Sequence, residues 1–474
     1  MKLFKTLLDF RLSPPRRGSL RRDELADSIA PLEVRCLLSA DVVLEWNAVA
    51  LDAVKNDYGV GQPHDQAGPT SASRALAIVQ VAVFDTLNCF ERDYQSYIVD
   101  KNPRNGASAK AAVAQAAHDT LVALFPHQTA MFDAQLVGSV QGIEGKALRR
   151  GAQLGHDVAR KILNSRARDG SDNMMTYVPG DRPGDYRPDP LHPDQSFVTP
   201  KWGKVNPFVI KSSKQFPVPS IPGSNTQAYV DAYNEVKSLG GDGINTPTQR
   251  TAEQTEIGIF WGYDGTPGVG VPPRLYNQIT RVIAVQQNNS EMENARLFAM
   301  VNLAMADAGI SAWQTKFDFN FWRPVTAIRE SDPGTGPTGL GDGNPNTVGD
   351  PDWTPLGAPA DNGGGTNFTP AFPAYTSGHA SFGAATFRSI AHFYGTDNIS
   401  FSFTSDEFNG ITQDQFGNVR PVVTRSFTSL SQATEENGQS RIYLGIHWSF
   451  DKTAGIQQGN SIADYVATHF AQPV

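Results

Sequence analysis

Cysteine is nearly absent from the 474-residue chain, with Cys36 and Cys89 its only thiols. Two are too few for a disulfide framework or a structural zinc site, and free thiols are expected, a single bridge being the alternative. Also missing is any run of the roughly 18 to 20 uninterrupted apolar residues that cross a bilayer, so the chain does not read as membrane-spanning. Positive charge is in deficit, with 40 Lys and Arg against 48 Asp and Glu and a net charge of -8. No nucleic-acid partner is expected on that balance, although a local positive site is allowed. No repeat of short period is present. What remains, 39% hydrophobic and 19% charged residues, is the composition of a folded globular protein.

The first 44 residues stand apart. The opening "MKLFKTLLDF" is basic, but Lys5 and Asp9 interrupt its apolar core, which makes a poor signal peptide. "LEVRCLLSA" resembles a leader motif at the front of some exported and surface bacterial proteins, with Val34 where that motif has proline. Residues 1–44 are read as a leader or a disordered arm, and the protein as soluble, with export or a cell-surface location left open.

Helical periodicity begins at "VLEWNAVALDAVKN" and recurs in Ala- and Leu-rich stretches up to "GKALRRGAQLGHDVARKILNSRARDG", which closes on Gly170. Strand-like alternation is scarce there, so residues 45–170 read as a helical bundle. From 171 to 225 the texture turns to Pro, Asp, Gly and aromatics, a long wrap of the kind that is functional or disordered. Helical patterns resume over 226–474, giving an all-α chain of two helical bundles with long irregular loops. A second Gly- and Pro-rich insertion carries five Asp between 332 and 361 without EF-hand spacing. It reads as a solvated loop near the mouth of a site.

Three short stretches concentrate chemistry. In "KFDFNFWRP", Lys316 and Arg323 are seven positions apart, so on one helix they would share a face two turns apart. The bland reading is that they snorkel, or pair with acids such as Asp318. In "YTSGHASF", Ser377 suits a helix N-cap; the same helix start, with Gly378 permitting close backbone approach, also suits an oxyanion. In "SRIYLGIHWSFD", Asp451 follows His447 by four residues and could hold one imidazole nitrogen, as in carboxylate–histidine ligand pairs. A surface ion pair is the alternative. His118, His156 and His392 fall in helical patterns and read as satisfied or exposed side chains.

Taken together, Lys316, Arg323 and Pro324, then Ser377, Gly378 and His379, then Ser440, Arg441, His447 and Asp451 resemble the signature of the type 2 phosphatidic acid phosphatase and vanadium haloperoxidase superfamily. Thr376 stands where that signature has proline. "WNAVALDAV", "RALAIVQVAVFDTLN" and "FWGYDGTPGVGVPPRLYNQITR" are similar to the chloroperoxidase-like branch, with coverage from about residue 45 to the C-terminus.

The resemblance implies two four-helix bundles with the site in the second. It implies vanadate as cofactor, bound by Lys316, Arg323, Ser377, Gly378, Arg441 and His447, with His447 as vanadium ligand. His379 would be the acid–base group and Lys316 a polarising cation, so that His379, His447 and Lys316 are the catalytic residues. Asp451 and Asp264 would support His447 and Arg441, although Asp264 could equally cap its own turn. Trp313 and Phe372 would wall the halide pocket, where related bromoperoxidases carry a histidine at the position of Phe372; ordinary bundle packing is the alternative for both. Hydrogen peroxide, a halide and a small organic acceptor would be the partners and hypohalous acid the product. The same constellation suits an acid phosphatase working through a phosphohistidine at His447. A non-catalytic oxyanion-binding or surface protein is the reading from another class.

Overall fold

The computed structural model describes residues 41–173 and 176–474; Cys36 and the leader-like segment lie outside them. Apolar residues at helical spacing, many of them alanine, account for the first helices: α1 (Val42–Asn56), α2 (Gly68–Glu91), α3 (Ala109–Leu124), α4 (Thr129–Ser139) and α5 (Gly145–Arg166). Ser108 caps α3 by accepting the Ala111 N–H at 3.2 Å. α5 ends at Arg166, short of Gly170. It lies so close to α3 that a Cβ on Gly151 or Gly155 would fall 2.3 Å from Ser108 O or 2.1 Å from Ala112 O.

Among its described residues, the 171–225 stretch is irregular apart from one short 3₁₀ turn, Trp202–Lys204. Just beyond that turn a buried carboxylate ties the chain down: Asp307 accepts the N–H groups of Phe208, Val209 and Ile210 at 2.6, 2.8 and 2.9 Å. Asp85 on α2 does the same for Tyr97, Ile98 and Val99. Burial pushes both carboxyl groups up to about 6, against the pull of those donors.

After the wrap come α6 (Gln227–Leu239), α7 (Ala252–Phe260), α8 (Pro272–Gln286), α9 (Glu291–Phe319), α10 (Pro324–Glu330) and α11 (Gly378–Tyr394). The strands β1 (Phe401–Asn409) and β2 (Val422–Phe427) follow, then α12 (Leu430–Tyr443) and α13 (Ser449–His469). The 29-residue α9 starts in a Ser290–Glu293 capping box and is buried from Leu297 to Lys316. It packs on α2, α11 and α13, which joins both halves of the chain into one unit, Val42–Val474. α2 is long and apolar enough to cross a membrane, but 89% of its apolar window is buried inside the protein.

The fold is mainly helical, as expected, with one element the helical reading lacks. Phe401, Phe403 and Ser405 point inward along β1 in strict alternation, and β1 pairs antiparallel with β2. Asp342 and Asp361 of the second insertion are buried rather than solvated. Among the described residues no group of three or more His, Cys, Asp or Glu could hold a metal ion.

In the second half, α11 and α13 also meet at backbone distance. A Cβ on Gly455 would lie 2.8 Å from Ser377 O, and one on Gly459 2.3 Å from Ser381 O. Backbones this close leave no room for a methyl group, so Gly459→Ala is expected to destabilise the protein by about 1–3 kcal/mol. Gly138, exposed in α4 with nothing near it, is the control: Gly138→Ala should be stabilising by about 0.5–1 kcal/mol. Guanidinium unfolding midpoints of the two variants check both signs.

Candidate active site

Lys316 and Arg323 do not share a helix face. Asn320, in the left-handed conformation at φ 53° and ψ 39°, ends α9 after Phe319. Arg323 is then the N-cap of α10, with Pro324 in the first turn. The reversal still brings both side chains to Phe372, with Lys316 Nζ and Arg323 Cζ each 4.9 Å from its ring centroid. Lys316 is fully buried, and its ammonium donates to Pro373 O (2.8 Å) and Ala374 O (3.1 Å). Asp318 pairs instead with Lys214. Burial and the neighbouring Arg323 hold the lysine well below its ordinary range. Arg323 donates to Phe372 O and Ile446 O, and its Nη1 lies 2.9 Å from His447 Nε2.

Ser377 is the N-cap of α11, and its own N–H donates to Asp451 O at 3.1 Å. Gly378 opens the helix against Trp313, where a Cβ would stand 3.4 Å from the indole. Its N–H is one of the first-turn donors that a helix cannot satisfy internally. His379 Nε2 is 2.7 Å from Gly262 O. A carbonyl only accepts, so Nε2 carries the proton and Nδ1 is the basic nitrogen. Burial, then Arg441, pushes this histidine well below its usual range, so it is neutral near pH 7.

His447 and Asp451 meet through a helix cap, not through neighbouring turns of one helix. His447 precedes the N-cap Trp448 of α13, and Asp451 is the third residue inside. Asp451 Oδ2 accepts both His447 Nδ1–H (2.8 Å) and Trp448 N–H (3.1 Å). This leaves His447 Nε2 with the lone pair. Burial pushes the Asp451 carboxyl up to about 7; its Oδ1 has no partner among the described residues. Burial and the three cations hold His447 well below its ordinary range. On α12, Arg441 Nη2 donates to both carboxylate oxygens of Asp264, at 2.7 and 2.8 Å.

Asp264, Trp313, Phe372, Gly378, His379, Arg441 and His447 line one cavity of about 320 Å³. Lys316 and Arg323 pack behind Phe372, whose ring centroid is 4.8 Å from that of Trp313. Three buried cations therefore face two carboxyl groups, and among the described residues Arg323 Nη2 and Arg441 Nε have no hydrogen-bond partner. Buried charge is stable only when paired. With the Ser377 hydroxyl and the Gly378 N–H, this donor set suits a tetrahedral oxyanion.

Several contributors carried no signal of their own in the sequence. Tyr276 Oη and Asn437 Nδ2 both donate to His379 O. Tyr58 and His64, between α1 and α2, and Gln195, Ser196 and Val198 of the wrap line the same cavity. "FWGYDG" pointed to Asp264 but not to the Gly262 carbonyl two residues before it. His118, His156 and His392 pair with surface carboxylates elsewhere.

The family model described as the vanadium chloroperoxidase N-terminal domain matches residues 35–201, and that of the VCPO second helical-bundle domain matches residues 296–474. Vanadium chloroperoxidase of Curvularia inaequalis is 32% identical over 501 aligned positions, covering 88% of this chain and 80% of that protein. Among solved structures, the first bacterial vanadium-dependent iodoperoxidase superposes with a TM-score of 0.71 at 23% identity, over 91% of this chain and 97% of its own. A holo-type bacterial vanadium-dependent chloroperoxidase gives 0.65 at 17% identity, over 88% and 95%; at these identities the likeness is one of fold. On the Curvularia match and the two domain models, this chain belongs to the vanadium chloroperoxidase family.

Proposed function

We propose that this protein is a vanadate-dependent haloperoxidase, oxidising a halide with hydrogen peroxide to hypohalous acid that halogenates a small organic acceptor. The observation that carries the reading is the cluster of buried cations, Lys316, Arg323 and Arg441, around His447 Nε2, with guanidinium nitrogens left over. We also infer two bundles, 45–170 and 226–474, joined by the 171–225 wrap. The close glycine-bearing pairs α3–α5 and α11–α13, one on each side, support that division.

Lys316, Arg323, Arg441, the Ser377 hydroxyl and the Gly378 N–H would hold the vanadate oxygens, and His447 Nε2 would be the protein ligand to vanadium. Bound vanadate supplies a Lewis acid that activates peroxide without changing its own oxidation state. Halide, peroxide and one proton give hypohalous acid and water, so the site needs a group that moves protons. His379 Nδ1 does this: the ring is neutral, its other nitrogen is anchored, and it lines the same cavity. Lys316, buried against Phe372 of the cavity wall, would supply positive charge to the bound group. Trp313 and Phe372 exclude water from the halide.

The decisive experiment reconstitutes the purified protein with orthovanadate and follows bromination and chlorination of monochlorodimedone with peroxide, beside hydrolysis of p-nitrophenyl phosphate without vanadate. Halogenation is expected; phosphatase turnover with no halogenation at any pH would support the phosphohistidine reading instead. His379→Ala should keep vanadate binding and lose about 10²- to 10⁴-fold in kcat. Asp451→Asn should weaken vanadate binding by about 10- to 100-fold, measured by equilibrium dialysis.

The lowered pKa of Lys316 gives a pH prediction. As pH rises through that value the ammonium is lost, and with it one attraction for the anion. Affinity for tungstate, a tetrahedral dianion across the neutral and alkaline range, should therefore decline before an ordinary lysine titrates, and Lys316→Met should flatten the decline. Phe372→Ala admits water to the halide wall and should reduce chloride turnover more than bromide turnover, by about tenfold or 1.4 kcal/mol in the ratio of kcat/KM values. Chloride, the more strongly hydrated ion, depends more on a dry pocket.

A further inference from the structure

Behind the loop that carries Gly262 and Asp264 lies a second charge cluster that the reaction does not touch. Glu407 on β1 and Asp361 in the second insertion are both fully buried and meet one guanidinium. Arg420 Nη1 stands 2.9 Å from Glu407 Oε2 and 2.6 Å from Asp361 Oδ1. Two carboxyl groups against one cation, out of water, favour retention of a proton on the pair. Burial, reinforced by Asp361, raises Glu407 well above its ordinary range.

Both acids grip the same loop. Glu407 Oε1 accepts the Tyr263 N–H at 2.7 Å, and Asp361 Oδ2 accepts the Thr266 hydroxyl at 2.6 Å. A Cβ on Gly262 would lie 2.4 Å from Glu407 Oε1, so only glycine allows this approach. Ser405 Oγ, donating to Phe260 O, and the Asp406 N–H, donating to Tyr263 Oη, extend the grip along β1.

The Tyr263 N–H and the Gly262 carbonyl belong to one planar peptide group. Its nitrogen side is held by Glu407, and its oxygen side accepts from His379 Nε2. Hydrogen bonds in series polarise one another, so an acceptor at the nitrogen end strengthens the carbonyl as an acceptor at the other.

We propose that Glu407 is a positioning residue for the reaction, which fixes through the Gly262–Tyr263 peptide the carbonyl that holds His379 in its Nε2–H tautomer, with Asp361 and Arg420 keeping Glu407 in place. Glu407 touches no reacting atom. The proposal rests on His379 being the acid–base group.

The test uses the full chain and its Glu407→Gln and Glu407→Ala variants. Ring ¹⁵N shifts of histidine-labelled, vanadate-free protein report the His379 tautomer, assigned with His379→Ala. Vanadate-loaded protein gives kcat and the vanadate dissociation constant. Gln keeps an oxygen for the Tyr263 N–H and should leave a single Nε2–H tautomer with kcat within about threefold of the parent. Ala should mix the tautomers and lower kcat by about 10- to 100-fold. Vanadate affinity should hold, because Asp361 and Thr266 still secure the part of the loop beside Asp264. If Glu407→Ala does not fold, Gly262→Ala breaks the same contact from the loop side. A folded variant lacking the contact but with the parent's tautomer and kcat would overturn the proposal, as would Gln falling as far as Ala. A parent without halogenation would instead sink the haloperoxidase reading, while the tautomer in vanadate-free protein decides the positioning claim independently.

Discussion

The arrangement of the second half depends on an imbalance of buried charge. Lys316, Arg323 and Arg441 are all within 1% of complete burial, and Asp264 and Asp451 are the carboxyl groups beside them. Asp451 accepts from His447 and a helix cap, and Lys316 donates to two backbone carbonyls and stands over aromatic rings, with no carboxylate bonded to it among the described residues. Such a cluster is costly unless an anion completes it. Arg441 held by Asp264, and Arg323 held by Phe372 O and Ile446 O, keep their remaining N–H groups pointed for a ligand. On the proposed function, that imbalance is the means by which a chain of net charge -8 would still select an oxyanion.

Holding that cluster together requires a rigid frame, and small residues supply it. Gly455 and Gly459 bring α13 against α11 at backbone distance. That contact sets Asp451 O where it accepts the Ser377 N–H, so the histidine-bearing cap and the Ser-Gly-His cap are fixed to one another. α9 then positions Trp313 and Lys316 from a third direction. The first half contributes Tyr58 and His64 to the cavity lining.

Much of this was legible in the sequence because side chains that bind oxyanions are few and their spacings are tight. Gly378, His379, Arg441 and His447 line one cavity, Lys316 and Arg323 pack on its Phe372 wall, and the Ser377 cap is where a Ser-Gly before a small apolar run places it. Between blocks, helical spacing alone misleads. A seven-residue separation puts Lys316 and Arg323 on one face only if the helix continues, and Asn320 and Pro324 are both stop signals. A four-residue separation suits His447 and Asp451 on neighbouring turns, whereas a carboxylate at the third helical position reaches back to the cap. The β1 alternation in "FSFTSDEF" is visible in the sequence but isolated amid so much helix. The Gly262 carbonyl is not legible as an acceptor: the glycine signals a close approach, here by Glu407, but not which side chain its carbonyl receives.

The two histidines show how much such unmarked groups decide. Both are buried, both are neutral near pH 7, and both border the same cavity. Their tautomers are opposite because their anchors are. A carboxylate on Nδ1 makes His447 the more electron-rich ring and presents Nε2, the geometry of a metal ligand or nucleophile. A neutral carbonyl on Nε2 orients His379 without adding charge and presents Nδ1, which suits a group that must both take and return a proton. On the roles proposed above, the acceptor bonded to each ring, a carboxylate for His447 and a backbone carbonyl for His379, decides which nitrogen faces the cavity.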